Sequence, residues 1–270
     1  MGSMRWMVMA ATLLAATAHG TSCRVESGPR LRPLIELYTS EGCSSCPPAD
    51  RWLSDYFQPG AVQDAIPLAF HVDYWDRLGW SDRFASPGHT DRQYQAMRAN
   101  LATFVYTPQV VLQGRDYPGW RRARLPTAIA GVGAHPARAD ITLAVEVGAS
   151  ALQARASVRL AQAPTGATIV ALAYADSGLT SAVRSGENRG EKLRHDHVVR
   201  VFRTQVLAGA TDTFEVRLPH PDERGTHPTV VAFVQDTAGG DVFQSVALAL
   251  ADCPAPPLRI PAGGEPPKGR

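Results

Sequence analysis

A pair of cysteines with two residues between them constrains the fold of this chain more than any other feature of its sequence. Residues 34–38 are an apolar run that predicts a buried strand. After a short turn, Pro47 and Pro48 suit the first turn of a helix, where a missing N–H costs nothing. Cys43 and Cys46 are therefore predicted to lie where a core strand passes into a helix.

The following residues continue to alternate between strand and helix patterns. They predict a strand over 66–72, a helix that begins at Thr90, a strand-like stretch over 104–112 and a further short helix. Thr90 and Gln93 have the spacing of a capping box. Because the C-x-x-C pair follows the first strand of this series, residues 33–133 are predicted to form an α/β thioredoxin-like domain.

The second half of the chain has a different character. Helical patterns are scarce, and residues 139–252 are predicted to form an all-β sandwich-like domain. The connection over 176–196 is longer than most loops, so we expect it to be functional or mobile, with 186–194 as a candidate contact loop. The residues over 254–270 are rich in proline and glycine and predict a disordered tail. The predicted strands cover 141–147, 152–160, 168–175, 197–206, 212–218, 229–235 and 242–250.

The N-terminus predicts an exported protein. Arg5 precedes an apolar stretch that ends in an A-x-A pattern at Ala16 and Ala18, as in a cleaved signal peptide over 1–18. The stretch is too short to span a bilayer, which needs roughly 20 apolar residues, so no membrane span is predicted. The expected location is periplasmic or secreted, and a lipidated Cys23 is an alternative.

In an oxidising compartment, the four cysteines of the chain favour disulfides. Cys43 and Cys46 are the candidate redox pair. Cys23 and Cys253 lie near the two ends of the predicted folded region and are a candidate structural disulfide, with two free thiols as the alternative.

The C-x-x-C pair predicts catalytic roles for four residues. Unpaired N–H groups at a helix start favour a thiolate, so Cys43 is the candidate nucleophile and Cys46 the resolving thiol. Pro108 is expected in the cis isomer facing the dithiol, where the Thr107 backbone would pair with a substrate peptide. Glu36 and Glu41 are nearby acids that could influence the thiols, with Glu36 on the strand beneath them.

Other chemistries remain open from the sequence. Two thiolates with His71 would suit Cu(I), and a non-catalytic binding module or a purely structural disulfide are further alternatives. His195 and His197 could share one face of a strand as a ligand pair, although surface histidines are commoner. The 27 basic residues nearly balance the 25 acidic ones, and no basic patch indicates nucleic-acid binding. No cofactor is predicted.

Four runs of sequence resemble a known family. They are ELYTSEGCSSCPPAD over 36–50, HVDYWD over 71–76, YTPQ over 106–109 and GENRG over 186–190. The chain is identified by them as a member of the DUF1223 group, exported proteins that are classed as thioredoxin-like and whose function is uncharacterised. The resemblance implies fold and secretion more than activity. Gly42 stands where thioredoxin itself usually has tryptophan, so redox potential and partner choice do not carry over.

Together these features predict an exported thiol–disulfide oxidoreductase. Its expected partners are a protein or small-thiol disulfide substrate and an unknown redox partner. A periplasmic copper-handling protein and a non-catalytic binding module are the alternatives.

Overall fold

Strands make up most of the architecture. The computed structural model describes residues 21–61, 63–122, 124–164 and 166–253, so the expected signal peptide and C-terminal tail lie outside the described residues. The described residues form 14 strands in three sheets and three α-helices. The helices are α1 (Pro47–Tyr56), α2 (Pro87–Ala99) and α3 (Leu125–Gly133). The strands are β1 (Thr21–Glu26), β2 (Leu34–Thr39), β3 (Ile66–His71), β4 (Gln109–Leu112), β5 (Arg115–Asp116), β6 (Ala139–Val147), β7 (Ala151–Leu160), β8 (Thr168–Asp176), β9 (Leu179–Ala182), β10 (Lys192–His195), β11 (Val198–Val206), β12 (Thr211–Pro219), β13 (Thr229–Asp236) and β14 (Val242–Ala249).

One sheet combines strands from both halves of the chain. It has eight strands in the order β14-β13-β8-β11-β3-β2-β4-β5. The two halves join where β3 pairs in parallel with β11: Val198 is in register with Ala69, and the Ala69 N–H donates to the His197 carbonyl at 2.8 Å. The predicted fold class is therefore wrong, because the chain is mostly β and is not an α/β thioredoxin-like domain followed by a separate sandwich.

The physical cause of this error is that strand neighbours are chosen over long distances. Periodicity along the sequence reports which faces of a segment are buried, but it does not report which strand pairs with its edge. All six residues of β3 are buried, as in a strand that has neighbours on both sides. One neighbour, β2, is close in sequence, whereas the other, β11, comes from the second half of the chain.

A second sheet makes the architecture sandwich-like. Its order is β1-β6-β7-β12, and it packs on the half of the large sheet that contains β8, β11, β13 and β14. Alternate residues of β8 belong to different cores: Leu172 and Tyr174 face the second sheet, whereas Ala171 and Ala173 belong to the core on the opposite face. Both faces of the large sheet are therefore covered.

Two helices cover the other half of the large sheet. Ile35 and Leu37 of β2 pack against Leu53 and Phe57 of α1 and against Ile129 of α3. Leu53 and Phe57 are thus core, whereas Tyr56 on the same helix is 39% exposed. This packing fixes the start of α1, and with it the C-x-x-C segment, against the end of β2.

Helix α2 begins earlier than its sequence pattern predicts. Ser86 is the N-cap, and its hydroxyl accepts from the Gly88 N–H at 3.3 Å. The predicted capping box is wrong, because the Thr90 hydroxyl donates to Asp73 at 2.6 Å and Gln93 is fully buried. The sequence signal for the observed start of α2 is a serine at the N-cap followed by a proline at the first helical position.

A buried ion pair ties α2 to the large sheet. The Arg92 Nε donates to Glu36 Oε1 at 2.6 Å, and both side chains are buried. The Arg92 guanidinium also lies 4.9 to 5.4 Å from the ring centres of Phe70, Phe202 and Phe233. Glu36 is therefore engaged with α2 and is not available beneath the C-x-x-C pair.

The long connection forms secondary structure, and the described residues around Cys23 and Cys253 are held to the rest of the fold. Residues 176–196 contain the hairpin of β9 and β10, and β1 pairs with β6 along its whole length. A disulfide joins Cys23 of β1 to Cys253, with 5.2 Å between their Cα atoms. None of the described helices is long and apolar enough to cross a membrane.

Candidate functional site

A disulfide between Cys43 and Cys46 lies at the start of α1. Their Cα atoms are 5.4 Å apart, and the Cys46 N–H donates to the Cys43 carbonyl at 3.1 Å, which closes the turn before the helix. Gly42 precedes this turn. A Cβ atom at Gly42 would lie 3.1 Å from the Cβ of Trp75, so the close approach of the Trp75 loop requires a small residue here.

Exposure does not distinguish the two cysteines. Cys43 and Cys46 are both 0% exposed, and Cys46 is the residue at the N-cap of α1 while Cys43 lies in the preceding turn. The helix start, from which the sequence predicts a thiolate on Cys43, therefore lies at Cys46. Their hydrogen-bonding neighbours do differ.

A chain of two hydrogen bonds leads to the sulfur of Cys43. The Trp75 indole N–H donates to Thr107 Oγ1 at 2.8 Å, and the Thr107 hydroxyl donates to Cys43 Sγ at 3.3 Å. Because Thr107 Oγ1 accepts from the indole, its own proton is free to point at the sulfur. The Ser45 hydroxyl lies 3.3 Å from the same sulfur. The Thr107–Pro108 peptide bond is cis, the isomer that the sequence analysis expects.

The connection between β9 and β10 covers the C-x-x-C segment. The Asn188 side-chain amide donates to the carbonyls of Glu41 at 2.8 Å and Cys43 at 3.0 Å. Glu187 Oε2 accepts from the N–H and the hydroxyl of Ser44. These contacts place part of the candidate contact loop, 186–194, directly on the disulfide turn.

A cluster of buried ionisable side chains lies behind the disulfide turn. Asp82 Oδ2 accepts from His71 Nδ1 at 2.7 Å and from the Glu41 N–H at 2.8 Å. His195 Nε2 lies 3.2 Å from Glu41 Oε1, and the rings of His71 and His195 pack edge to face with centres 4.9 Å apart. The side chains of these four residues are at most 1% exposed. Asp50 of α1 is buried beside them.

The environment shifts the pKa values of this cluster in opposite directions. Burial raises the pKa of Asp50 above its ordinary value, despite the two nearby imidazoles. For His71, burial acts to lower the pKa, but Asp82 outweighs it and the pKa is raised. For Glu41 and Asp82, burial acts to raise the pKa, but contacts with His195 and His71 respectively outweigh it, and both pKa values are lowered. The cluster therefore combines imidazoles and carboxylates of unequal proton affinity.

The structure separates several residues that the sequence grouped. His71 lies with Asp82 and His195, and its Nδ1 is engaged by a carboxylate rather than directed at the thiols. His195 and His197 are not a ligand pair, because His197 adopts a positive φ of 58° and its Nε2 contacts the Phe57 carbonyl instead. Within the described residues, no set of three or more histidine, cysteine or acidic side chains is arranged to hold a metal ion.

Most of the residues that surround the disulfide are not among the site residues that the sequence predicts. Trp75 and Asp82 lie in the loop after β3, and Asp50 lies on α1. The available signal was the loop over 73–82, which combines aromatic and acidic residues directly after a buried strand. Loops that carry such residues are frequent carriers of function.

Comparisons with known proteins give one family and two solved structures that are similar to this chain. The sequence profile of the family described as "Protein of unknown function (DUF1223)" matches residues 34–235. A crystal structure of a protein from Agrobacterium tumefaciens is 28% identical with a TM-score of 0.58, and the match covers 82% of this chain and 96% of that chain. HBP35 of Porphyromonas gingivalis has a TM-score of 0.62 at 12% identity, over 89% of this chain and 81% of that chain, a likeness of fold alone. Comparison with curated proteins gives no match.

Proposed function

Because this chain belongs to the DUF1223 family, whose description assigns no function, we propose its activity from the geometry of the site. The protein is a thiol–disulfide oxidoreductase in which the Cys43–Cys46 disulfide exchanges with a protein or small-thiol substrate. The proposal covers the dithiol chemistry only, and it leaves the direction of electron flow in the cell to the redox partner.

The hydroxyl that Thr107 directs at Cys43 carries this proposal. A hydrogen-bond donor held 3.3 Å from Cys43 Sγ would stabilise a thiolate on that sulfur once the disulfide is reduced. Trp75 orients this donor by occupying the Thr107 oxygen. A disulfide with a purely structural role gains little from such a donor, whereas an attacking thiol needs its ionised form.

The small size of the Cys43–Cys46 loop also argues for exchange. In the chain-entropy model, a disulfide between residues 3 apart restricts the unfolded chain by only about 2 kcal/mol, against about 5 kcal/mol for the Cys23–Cys253 pair at a separation of 230. The long bridge therefore has the larger stabilising role. The short one is the better candidate for reversible chemistry.

In the direction of substrate reduction, the exchange would proceed in two balanced steps. The Cys43 thiolate attacks one sulfur of the substrate disulfide, a Cys43–substrate bond forms, and the other substrate sulfur leaves with the electron pair as a thiolate. Cys46 then attacks Cys43 Sγ, closes the Cys43–Cys46 bond and expels the second substrate thiolate. The substrate gains two electrons and the protein dithiol loses two, and a redox partner of the dithiol class restores the reduced protein.

We further propose that the protein works outside the cytoplasm. Two disulfides in one chain are typical of oxidising compartments, and the signal-like pattern over 1–18 agrees with export. Detection of the protein in the periplasmic or secreted fraction, with processing after residue 18, tests this part. Retention in the cytoplasm with an intact N-terminus would contradict it.

Trapping of mixed disulfides tests the exchange. With the Cys46→Ser variant, we expect an oxidised dithiol substrate or oxidised glutathione to remain attached to Cys43, as seen by mass spectrometry without reductant. The Cys43→Ser variant should trap much less of this mixed disulfide. A Cys23→Ser/Cys253→Ser variant should trap no more of it than the wild type does. Equal absence of adducts from both single variants, in folded protein, would contradict the proposed function.

A further inference from the structure

The buried cluster behind the disulfide turn is connected to both cysteines through the main chain. Glu41 precedes Cys43 by two residues, and the Asp50 N–H donates to the Cys46 carbonyl at 3.1 Å, one helical turn away. The cluster comprises these two residues together with His71, Asp82 and His195. Two of its five members therefore lie within a few residues of the cysteines along the chain, and Asp82 is joined to one of them by the Glu41 N–H.

Several polar atoms of the cluster have no hydrogen-bond partner among the described residues. They are His71 Nε2 and His195 Nδ1, together with Glu41 Oε1 and His195 Nε2, which lie 3.2 Å apart and have no partner other than each other. A buried polar atom without a partner costs free energy, so a site that keeps several of them needs an explanation. Rings in this state can accept or release a proton without breaking an existing hydrogen bond.

The composition of the cluster also leaves its protonation adjustable. The cluster contains three carboxylates and two imidazoles, all of them buried. The Trp80 indole N–H also donates to the Glu41 carboxylate at 2.7 Å. Buried groups at this spacing titrate together, because the charge on one changes the proton affinity of the next. A new negative charge nearby would raise the affinity of the cluster for a proton.

We propose that this cluster takes up a proton when the Cys43–Cys46 disulfide is reduced and releases it when the disulfide forms again. The Glu41–His195 pair holds the proton. This proton uptake rests on the proposed function, because it requires a disulfide that can be reduced. Glu41 and His195 are positioning residues in this scheme, since they reach the sulfurs through the fold and not by contact.

The proton balance of reduction follows from this assignment. A donor thiolate attacks Cys43 Sγ, the Cys43–Cys46 bond breaks, and its electron pair moves to Cys46 Sγ. The second donor sulfur then attacks the first, closes the donor disulfide and releases Cys43. Of the two protons that the donor dithiol gives up, one goes to the Cys46 thiol and one to the cluster, while Cys43 remains a thiolate beside Thr107.

Other charged groups around the cluster modulate its titration. They come from every neighbouring element: Asp76 and Arg83 from the loop after β3, His89 from α2, Arg194 and Asp196 around the end of β10, and Glu187 over the disulfide turn. Arg194 and Asp196 pair with each other, and Arg83 pairs with Glu223. These groups persist in both redox states, so a change on reduction reports the disulfide itself.

Histidine-ring NMR on the full chain tests the proposal. The titration midpoint of His195 is measured in oxidised and reduced protein, with the state of Cys43 and Cys46 verified by alkylation and mass spectrometry. We expect the midpoint to rise by about one pH unit on reduction, a tenfold change in proton affinity. The conservative Glu41→Gln variant should reduce this redox-linked rise to less than about a third of a unit.

The matched control is the Cys43→Ser/Cys46→Ser variant under the same reductant. It retains Cys23 and Cys253, so any effect of reducing the long disulfide appears there as well. Equal midpoints for His195 in the two redox states of the wild type, or an equal rise in the control variant, would overturn the proposal. A rise in the wild type without mixed-disulfide trapping would instead remove the exchange function and leave the proton coupling in place.

Discussion

Glu187 accepts two hydrogen bonds from Ser44, one from the main-chain N–H at 3.0 Å and one from the hydroxyl at 2.7 Å, across 143 positions of sequence. The contact joins the β9–β10 connection to Ser44, one of the two residues between the cysteines. It holds a segment from the second half of the chain over a disulfide contributed by the first half. We therefore expect access to the disulfide to depend on this contact.

Removal of the Glu187 carboxylate should expose the disulfide. In Glu187→Ala, we expect reduction of Cys43–Cys46 by a small thiol to be about threefold faster, because the connection opens more often. Rates are read by alkylation and peptide mass spectrometry. Glu191, exposed on the same connection, supplies the control Glu191→Ala, which should react at the wild-type rate. A Glu187→Ala rate equal to that of the control would contradict the covering role.

The same contact should weaken in acid. The hydrogen bonds from Ser44 lower the pKa of Glu187, so the carboxylate persists to a lower pH than an unpaired one. The stabilisation that the Glu187–Ser44 contact gives to the folded chain is present above the ordinary glutamate pKa and is lost as the pH falls through the lowered pKa of Glu187.

Thr107 should control the ionisation of Cys43. In Thr107→Val, the donor to Cys43 Sγ is lost and the pKa of the Cys43 thiol should rise by about one unit. The pH dependence of iodoacetamide alkylation in the reduced protein measures this change. Thr107→Ser retains a hydroxyl and should remain near the wild type. The same pKa in Thr107→Val and Thr107→Ser would show that the hydroxyl does not act on the sulfur.

His89 should make the fold less stable in acid. Burial lowers the pKa of His89 to about 4, while its Nδ1 lies 2.9 Å from the His71 carbonyl. The pKa of His89 is about 6.5 in the unfolded chain, so between pH 6.5 and pH 4 the unfolded chain binds more protons than the folded one. The free energy of unfolding therefore decreases as the pH falls through this range, by about 3 kcal/mol in total. Urea unfolding of His89→Gln at pH 7 and pH 4.5 should lack most of this loss. An equal loss in the variant would assign the acid sensitivity to other groups.

The two disulfides should differ in their effect on stability. Replacing Cys23 and Cys253 by alanine releases a constraint over a separation of 230 and should lower the free energy of unfolding by about 5 kcal/mol. Replacing Cys43 and Cys46, at a separation of 3, should cost about 2 kcal/mol. Denaturant unfolding of the two double variants compares them. A larger loss from the short pair would indicate that its main role is structural.

Local pattern alone predicts many elements of this protein. The apolar runs and turn residues place β2, α1 and β3, and the alternating segments place the strands from β6 to β8 and from β11 to β14 within a few residues. These predictions depend on neighbours within one element, where side-chain period and chain direction are coupled. The predicted start of α2 at Thr90 was wrong because the N-cap, Ser86, lies one turn before the apolar face of the helix begins.

The candidate site was only partly within reach of such patterns. The C-x-x-C pair and the Thr107–Pro108 step are local motifs, and the motif over 186–190 marked a candidate contact loop without indicating what it contacts. Only the tertiary structure places that loop on the disulfide turn and brings His195 to Glu41. Nothing in the sequence near either partner encodes the other.

The sequence by itself determined most of the strands and helices and where the C-x-x-C pair sits. The tertiary structure decided that β3 pairs with β11, which joins the two halves in one sheet, and that five ionisable groups are buried together behind the dithiol. The reason is physical: periodic patterns are set by contacts a few residues apart. Strand neighbours and buried charge clusters are set by packing between segments far apart in the chain, where burial and compensation of charge are decided together.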